Sequence, residues 1–146
     1  MFPLKDDAPR ATTPYVNFTL IALNVLIFLY EFWIWSQSPS DLNAFVDRFG
    51  MVPVHFTDAF FSVNYVPFTA AILPIFTSMF LHGSPFHLIF NMWALWIFGD
   101  NIEDCLGHGM YAVFYMVCGV SATLLHIAAI PIRWCRRSAL AAPLRA

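Results

Sequence analysis

The stretch FLHGSPFHLIFNMWALWIFG, residues 80–99, decides the fold. It has the composition of a membrane helix, yet His82, His87 and Asn91 lie in or beside its apolar run. An imidazole or a carboxamide buried in hydrocarbon is costly unless it finds a hydrogen-bond partner. These three side chains therefore need either a structural or a functional explanation.

The composition of the whole chain indicates a membrane protein. Of its 146 residues, 60% are hydrophobic and only 11% are charged, with a mean hydropathy of +0.67. Such a chain is too apolar for a soluble domain of this size. The net charge of −2 and the absence of a basic run exclude a nucleic-acid-binding protein.

The cysteines show no spacing that is typical of a metal site or a disulfide framework. Cys105, Cys118 and Cys135 are far apart and form no CxxC pair. We expect each to be a small apolar filler, and we expect neither a metal nor a cofactor.

Three apolar segments are each close to the ~20 residues that a helix needs to cross a bilayer. The sequence predicts an all-α polytopic membrane protein, because a spanning segment must satisfy its own backbone hydrogen bonds. The aromatic, proline-interrupted connection between the first two spans is predicted to lie in the membrane interface. The predicted organisation is a polar tail at 1–14, transmembrane helix 1 at 15–35, an interfacial loop at 36–85, transmembrane helix 2 at 86–103, transmembrane helix 3 at 109–130 and an atypical tail at 131–146.

The distribution of basic residues predicts the orientation. Lys5 and Arg10 precede the first span, whereas the long connection holds only Arg48. This bias favours a cytoplasmic N-terminus in a bacterial-type inner (plasma) membrane. The three arginines of the tail would then lie on the opposite side, against the rule.

His87 and Asn91 are four residues apart, so they project from one face of the second helix. One interpretation is that they satisfy each other or a neighbouring carbonyl group. The other is an oxyanion-stabilising pair, since a neutral imidazole and a carboxamide both donate to a developing negative charge. Spacing alone leaves both open.

Two further motifs follow at four-residue steps. Gly99, Glu103 and Gly107 form G-x-x-x-E-x-x-x-G, and Tyr115 and Gly119 form Y-x-x-x-G. Glycines at this spacing let helices approach closely, and the carboxylate between them can bind backbone donors of an adjoining loop. A solvated glutamate at a helix end is the alternative for Glu103.

The run FTSMFLHGSPFHLIFNMWALWIFGDNIEDCLGHGMYAVFYMVCG, residues 76–119, closely resembles the rhomboid family of intramembrane serine proteases. The shared features are H-x-x-x-N in the second helix, G-x-x-x-E-x-x-x-G after it and Y-x-x-x-G in the third, in that order. FGMVP at residues 49–53 and the long first loop also resemble this family.

The resemblance implies a rhomboid-like helical bundle around a water-accessible cavity, where a Ser–His dyad cuts transmembrane segments of other proteins without a cofactor. It further implies that His87 and Asn91 line the oxyanion hole and that His82 lies at the cavity mouth. Glu103 would brace the loops on the opposite side. The expected partners are transmembrane segments of membrane-protein substrates and the lipid bilayer.

The sequence departs from the family pattern at the nucleophile. The family carries G-x-S-G and a base histidine on later helices, and neither is found here. The pair Ser121 and His126 is rejected, because residues five apart on a helix point in different directions. Ser78 and Ser84 have no paired base in the sequence. We therefore expect an inactive fragment, the N-terminal half of a rhomboid bundle with about three spans; the alternative is a non-catalytic rhomboid-like protein that binds client transmembrane helices.

The tail PIRWCRRSALAAPLRA, residues 131–146, changes character abruptly. One explanation is a pseudoprotease that stops after three helices, and another is a reading-frame shift. With a suitable choice of codons, reading from the last base of the Arg137 codon yields Val-Gly-Ala-Ser-Gly, which contains the missing G-x-S-G. The coding DNA after Ile130 tests this hypothesis.

Overall fold

The computed structural model describes residues 12–53, 56 and 67–129, and every regular element of three or more residues in this part of the chain is helical. The predicted all-α class is confirmed. A 3₁₀ turn, Ser78–Phe80, follows the third helix. The helices are α1 at Tyr15–Gln37, α2 at Pro39–Phe49, α3 at Phe68–Thr77, α4 at Pro85–Leu106 and α5 at His108–Ala129.

Two of these helices, α1 and α5, are long and apolar enough to cross a membrane. With 23 and 22 residues, each extends about 33–35 Å, which exceeds the ~30 Å hydrocarbon layer. The segments Ile72–Phe80 and Pro85–Leu106 pass the same test together but are bent by 82° at the break between them. The described residues therefore contain two candidate spans, or three if the bent pair is one span.

The longest helix, α1, buries three polar residues and exposes many of its apolar ones. Asn17, Asn24 and Glu31 are buried, whereas Leu26 and Trp33 are more than half exposed. The three polar residues are spaced by seven, which keeps them on one face of the helix. This pattern fits a lipid-facing helix, in which apolar side chains meet the bilayer and polar ones find partners within the protein.

The widened turn in the middle of α4 has a hydrogen-bond partner on α1. The helix passes through a π-helical segment at Leu95–Gly99, and the Asn17 side-chain amide donates to the Leu95 carbonyl at 2.9 Å. The Tyr111 hydroxyl of α5 donates to the Asn17 carbonyl oxygen at 3.0 Å. A side chain on Gly99 would collide with both Asn17 and Tyr111, so the three helices meet at this glycine.

Glu103 belongs to α4, and its side chain lies against the N-terminal end of α1. Its carboxylate accepts from the backbone N–H groups of Val16 at 3.0 Å and Asn17 at 2.8 Å, two of the donors that a helix start leaves unpaired. It also contacts His108 Nδ1 at 2.5 Å. Glu103 is fully buried, which excludes the solvated alternative. Gly107, with φ at +76°, allows the tight reversal from α4 to α5.

The segment between α1 and α4 is only partly described. The short helix α2 lies beside α3, where the Thr77 hydroxyl donates to the Phe49 carbonyl at 2.5 Å. Pro74 lies inside α3. Residues 54–55 and 57–66 of the predicted interfacial loop lie outside the described residues, as do residues 1–11 and 130–146. Of the basic residues used to predict the orientation, the structure describes Arg48 alone. The frameshift hypothesis also concerns residues that lie outside the described part of the chain.

Candidate functional site

The start of α4 positions the polar residues that the sequence singles out. Ser84 has an extended backbone, with φ at −158°, and its hydroxyl oxygen accepts from the His87 backbone N–H at 3.2 Å. Pro85 follows at the first helical position, where its missing N–H costs nothing. The helix therefore begins at Pro85, with His87 in its first turn and Asn91 one turn later.

Asn91 is hydrogen-bonded to His82 rather than to His87. The Asn91 side-chain nitrogen lies 3.2 Å from His82 Nε2, and His82 Nδ1 lies 3.2 Å from the Phe80 carbonyl oxygen. An amide nitrogen can only donate, so Nε2 accepts and Nδ1 carries the proton that it donates to Phe80. This pattern requires a neutral His82. The His87 ring lies edge-on to the His82 ring, with 5.2 Å between the centroids.

The structure thus brings together His82, His87 and Asn91, the three residues that the sequence predicts for the site. His82 is buried, with 5% of its surface exposed, and it lines the groove; its position at a cavity mouth stays a prediction. His87 and Asn91 are exposed on the protein surface and line a groove. The Asn91 amide keeps a second N–H for a ligand, and the His87 ring nitrogens have no hydrogen-bond partner among the described residues.

The groove has a volume of about 1140 Å³ and lies between α1, α4 and α5, with α2 and the turn before α4 at its edges. This is slightly larger than a typical small-molecule site, and the groove is open along the surface. Most of the surface of its walls is apolar, and methionine, phenylalanine and leucine side chains contribute to it. The polar groups that line it include Glu31, His82, His87, Asn91, Tyr115 and His126.

The glycine and tyrosine motifs hold the helices around the groove. Tyr115 lies 3.3 Å from the Asn24 side-chain nitrogen, and its ring packs 6.2 Å from that of Phe80. A side chain on Gly119 would collide with Met79. The first motif, with Gly99, Glu103 and Gly107, packs α4 against α1 and α5. Its residues do not line the groove.

The described residues contain no serine hydroxyl that is hydrogen-bonded to a histidine ring. Ser78 and Ser84 line the groove, but the bond that Ser84 makes to His87 is to the backbone. Ser121 is exposed and outside the groove lining, whereas His126 lines it. The two residues of the rejected pair therefore do not share a site.

Sequence reasoning missed the polar residues of α1 that face the groove and its neighbourhood. Glu31 is buried beside His82, whose backbone N–H lies 3.3 Å from Glu31 Oε2. Asn24 is fully buried, and its side-chain oxygen has no hydrogen-bond partner. The signal was available, because Asn17, Asn24 and Glu31 recur every seven residues in an otherwise apolar helix.

The fold and the groove together define an all-α membrane protein with a polar site among apolar helices. Comparison with known proteins agrees with the motifs, because residues 69–133 match the family model described as the Rhomboid domain. The matched segment is less than half of the chain, and over this segment the match confirms the resemblance to the rhomboid family seen in the sequence.

Two curated relatives match over a shorter stretch. The presenilin-associated rhomboid-like protein A, mitochondrial, of Danio rerio is 36% identical over 53 residues, which are 36% of this chain and 14% of the relative. The presenilin-associated rhomboid-like protein, mitochondrial, of Bos taurus is 36% identical over 52 residues, with the same two shares. The matched stretch spans about one seventh of the length of either relative. No solved structure matches the chain.

Proposed function

We propose that the groove holds a transmembrane segment of another membrane protein, and that His87 and Asn91 form the oxyanion-stabilising part of a rhomboid-type serine endopeptidase site. The observation that carries this proposal is the hydrogen-bonded pair of His82 and Asn91, with the His87 ring beside it, on the wall of an open groove. The match of residues 69–133 to the Rhomboid domain model supports the same assignment.

The chemistry of these groups suits a developing negative charge on a carbonyl oxygen. His82 holds the Asn91 amide through one N–H and leaves the other to point at a ligand. A carboxamide and a neutral imidazole both donate to an oxyanion without placing a full charge in a membrane protein. If cleavage is measured, Asn91→Ala or His87→Ala should lower turnover by ~10²–10³, the loss that follows removal of one oxyanion donor.

A second candidate is binding of client transmembrane helices without cleavage. It is favoured by the absence of a paired serine and histidine side chain among the described residues. We assign no nucleophile and no base in this part of the chain. Both candidates require the groove to hold a transmembrane segment, and they differ in the chemistry that follows.

Site-specific photo-crosslinking tests whether the groove is occupied. A photoactivatable residue at Met92, which lines the groove, should crosslink to an added transmembrane peptide in proteoliposomes. The same residue at Phe90, which is 59% exposed on α4 but outside the groove lining, is the matched control. Equal crosslinking at both positions would refute a specific groove.

A fluorophosphonate probe separates the two candidates. Binding without cleavage predicts no covalent labelling of the 146-residue chain and no cleavage of the crosslinked peptide. Labelling that disappears in Ser78→Ala or Ser84→Ala would identify a nucleophile in the groove and refute this candidate.

We propose that the chain is an integral membrane protein in which α1 and α5 span the bilayer. A bacterial-type inner membrane with a cytoplasmic N-terminus stays a prediction from the basic residues, whereas both matched relatives are named as mitochondrial proteins. Protease protection of a tag placed before Met1, in intact and in permeabilised membranes, tests the orientation.

A further inference from the structure

Glu31 is the one acidic residue in the groove lining. It lies on α1 and is buried, with 6% of its surface exposed. One carboxylate oxygen, Oε2, accepts from the His82 backbone N–H at 3.3 Å. The other oxygen, Oε1, has no hydrogen-bond partner among the described residues. Among the described residues Asn24 Oδ1 is the one side-chain atom that is both fully buried and unpartnered, so Oε1 retains some exposed surface, and Glu31 lines the groove.

No basic side chain of the described residues neutralises Glu31. Arg48 is the only lysine or arginine in this part of the chain; it is exposed, lies over the Phe49 ring at 5.5 Å and does not line the groove. A buried carboxylate is rarely found without a partner, and an ionisable residue within a membrane helix usually marks a functional site. Glu31 is therefore a candidate binding site for a cationic group.

Aromatic side chains of α1 add to this site. Phe28 and Trp35 are three residues before and four residues after Glu31, which places them on the same face of the helix, and both line the groove with Phe32. The face of an aromatic ring attracts an ammonium or guanidinium group. A carboxylate flanked by such rings favours an organic cation over a metal ion.

The depth of Glu31 in the membrane matches a basic residue near the end of a transmembrane segment. Glu31 lies about 9 Å along the helix axis from the end of α1 at Gln37, at a rise of about 1.5 Å per residue. Lysine and arginine near the ends of such segments extend their long side chains along apolar surface and place the charge near the interface. A cation at this depth is therefore available on a bound transmembrane segment.

We propose that Glu31 binds a lysine or arginine side chain of the transmembrane segment in the groove and so determines which segments bind. The inference rests on the proposed function, because it requires that segment. It adds a specificity-determining residue on α1, next to His82.

The test uses a transmembrane peptide with a single lysine placed in turn at each of its last six positions, and the same peptide with norleucine at that position. Binding to the full chain in proteoliposomes is measured by fluorescence energy transfer. At one position, wild-type protein should bind the lysine peptide at least about tenfold more tightly than the norleucine peptide, as close charge pairs at interfaces do. Glu31→Gln, which keeps an acceptor for the His82 N–H, should abolish this difference and leave norleucine binding unchanged.

A charge exchange provides the second variant. Glu31→Lys should prefer a peptide with glutamate at the same position. If Glu31→Gln weakened the binding of both peptides equally, Glu31 would only position His82, and the inference would be overturned. Tight binding of both peptides by wild type without a preference would also overturn it, while the proposed function would stand. Binding of neither peptide would refute the proposed function itself.

Discussion

Replacement of Glu103 should cost more stability than any other single change outside the groove. Its carboxylate accepts from the backbone N–H groups of Val16 and Asn17 at the start of α1 and also contacts His108. A hydrogen bond to a charged group contributes about 1.5–3 kcal/mol, and a buried donor left without a partner costs about 1–3 kcal/mol. Glu103→Ala removes the acceptor for both donors, so we expect a loss of about 3–5 kcal/mol in the free energy of unfolding.

The measurement is reversible unfolding of the full chain in mixed micelles, followed by circular dichroism. Glu103→Gln retains one carbonyl oxygen and loses the charge, so it should cost about 1–2 kcal/mol. This variant keeps the test informative if the alanine variant does not fold. Asp47→Asn on the exposed side of α2 is the control, with an expected change within about 0.5 kcal/mol.

Amide hydrogen exchange gives an independent readout at the same place. In wild-type protein the amides of Val16 and Asn17 should exchange slowly, and in Glu103→Gln the exchange of at least one should accelerate. The capping role of this carboxylate would be refuted by two results together. The free energy of unfolding of Glu103→Ala would lie within about 0.5 kcal/mol of that of Asp47→Asn, and the amide exchange of Val16 and Asn17 would be unchanged in Glu103→Gln.

Three other changes give separate expectations. Gly99→Ala places a methyl group against the buried side chains of α1 and α5, so it should destabilise the protein by about 1–3 kcal/mol in the same unfolding assay. In Gly119→Ala the three atoms nearest to the new methyl group all belong to the flexible side chain of Met79, so this change should cost less than Gly99→Ala; the opposite order would contradict this packing. Asn91→Ala removes the donor to His82 Nε2, which should appear as a change in the ¹⁵N chemical shift of that nitrogen, and an unchanged shift would show that the bond is not formed.

The helical class and the motif order were accessible from sequence because they depend on local properties. A run of about 20 apolar residues must form a helix in a bilayer, whatever surrounds it. The G-x-x-x-E-x-x-x-G spacing indicated a close approach of helices, and the structure shows that approach at Gly99. The start of α4 after Ser84 and Pro85 likewise follows from the preferences of those two residues.

The partners of the polar side chains could not be predicted in the same way. Helical spacing placed His87 and Asn91 on one face, but it could not show that Asn91 bonds to His82, which lies in the turn before the helix. The π-helical segment in α4 has no sequence signal of its own, and its Leu95 carbonyl is satisfied from α1 by Asn17. Each of these contacts joins residues that are distant in sequence or separated by an irregular backbone.

The sequence by itself determined that this chain is a helical membrane protein with rhomboid-type motifs, because composition and short motifs act within single helices. Only the tertiary structure decided which polar groups meet. It brought Glu31 of α1 to the His82 backbone and Glu103 to the start of α1, across 51 and at least 86 residues of sequence. The physical reason is that a buried polar group is satisfied by whichever donor the packing brings near, and packing depends on all the helices together.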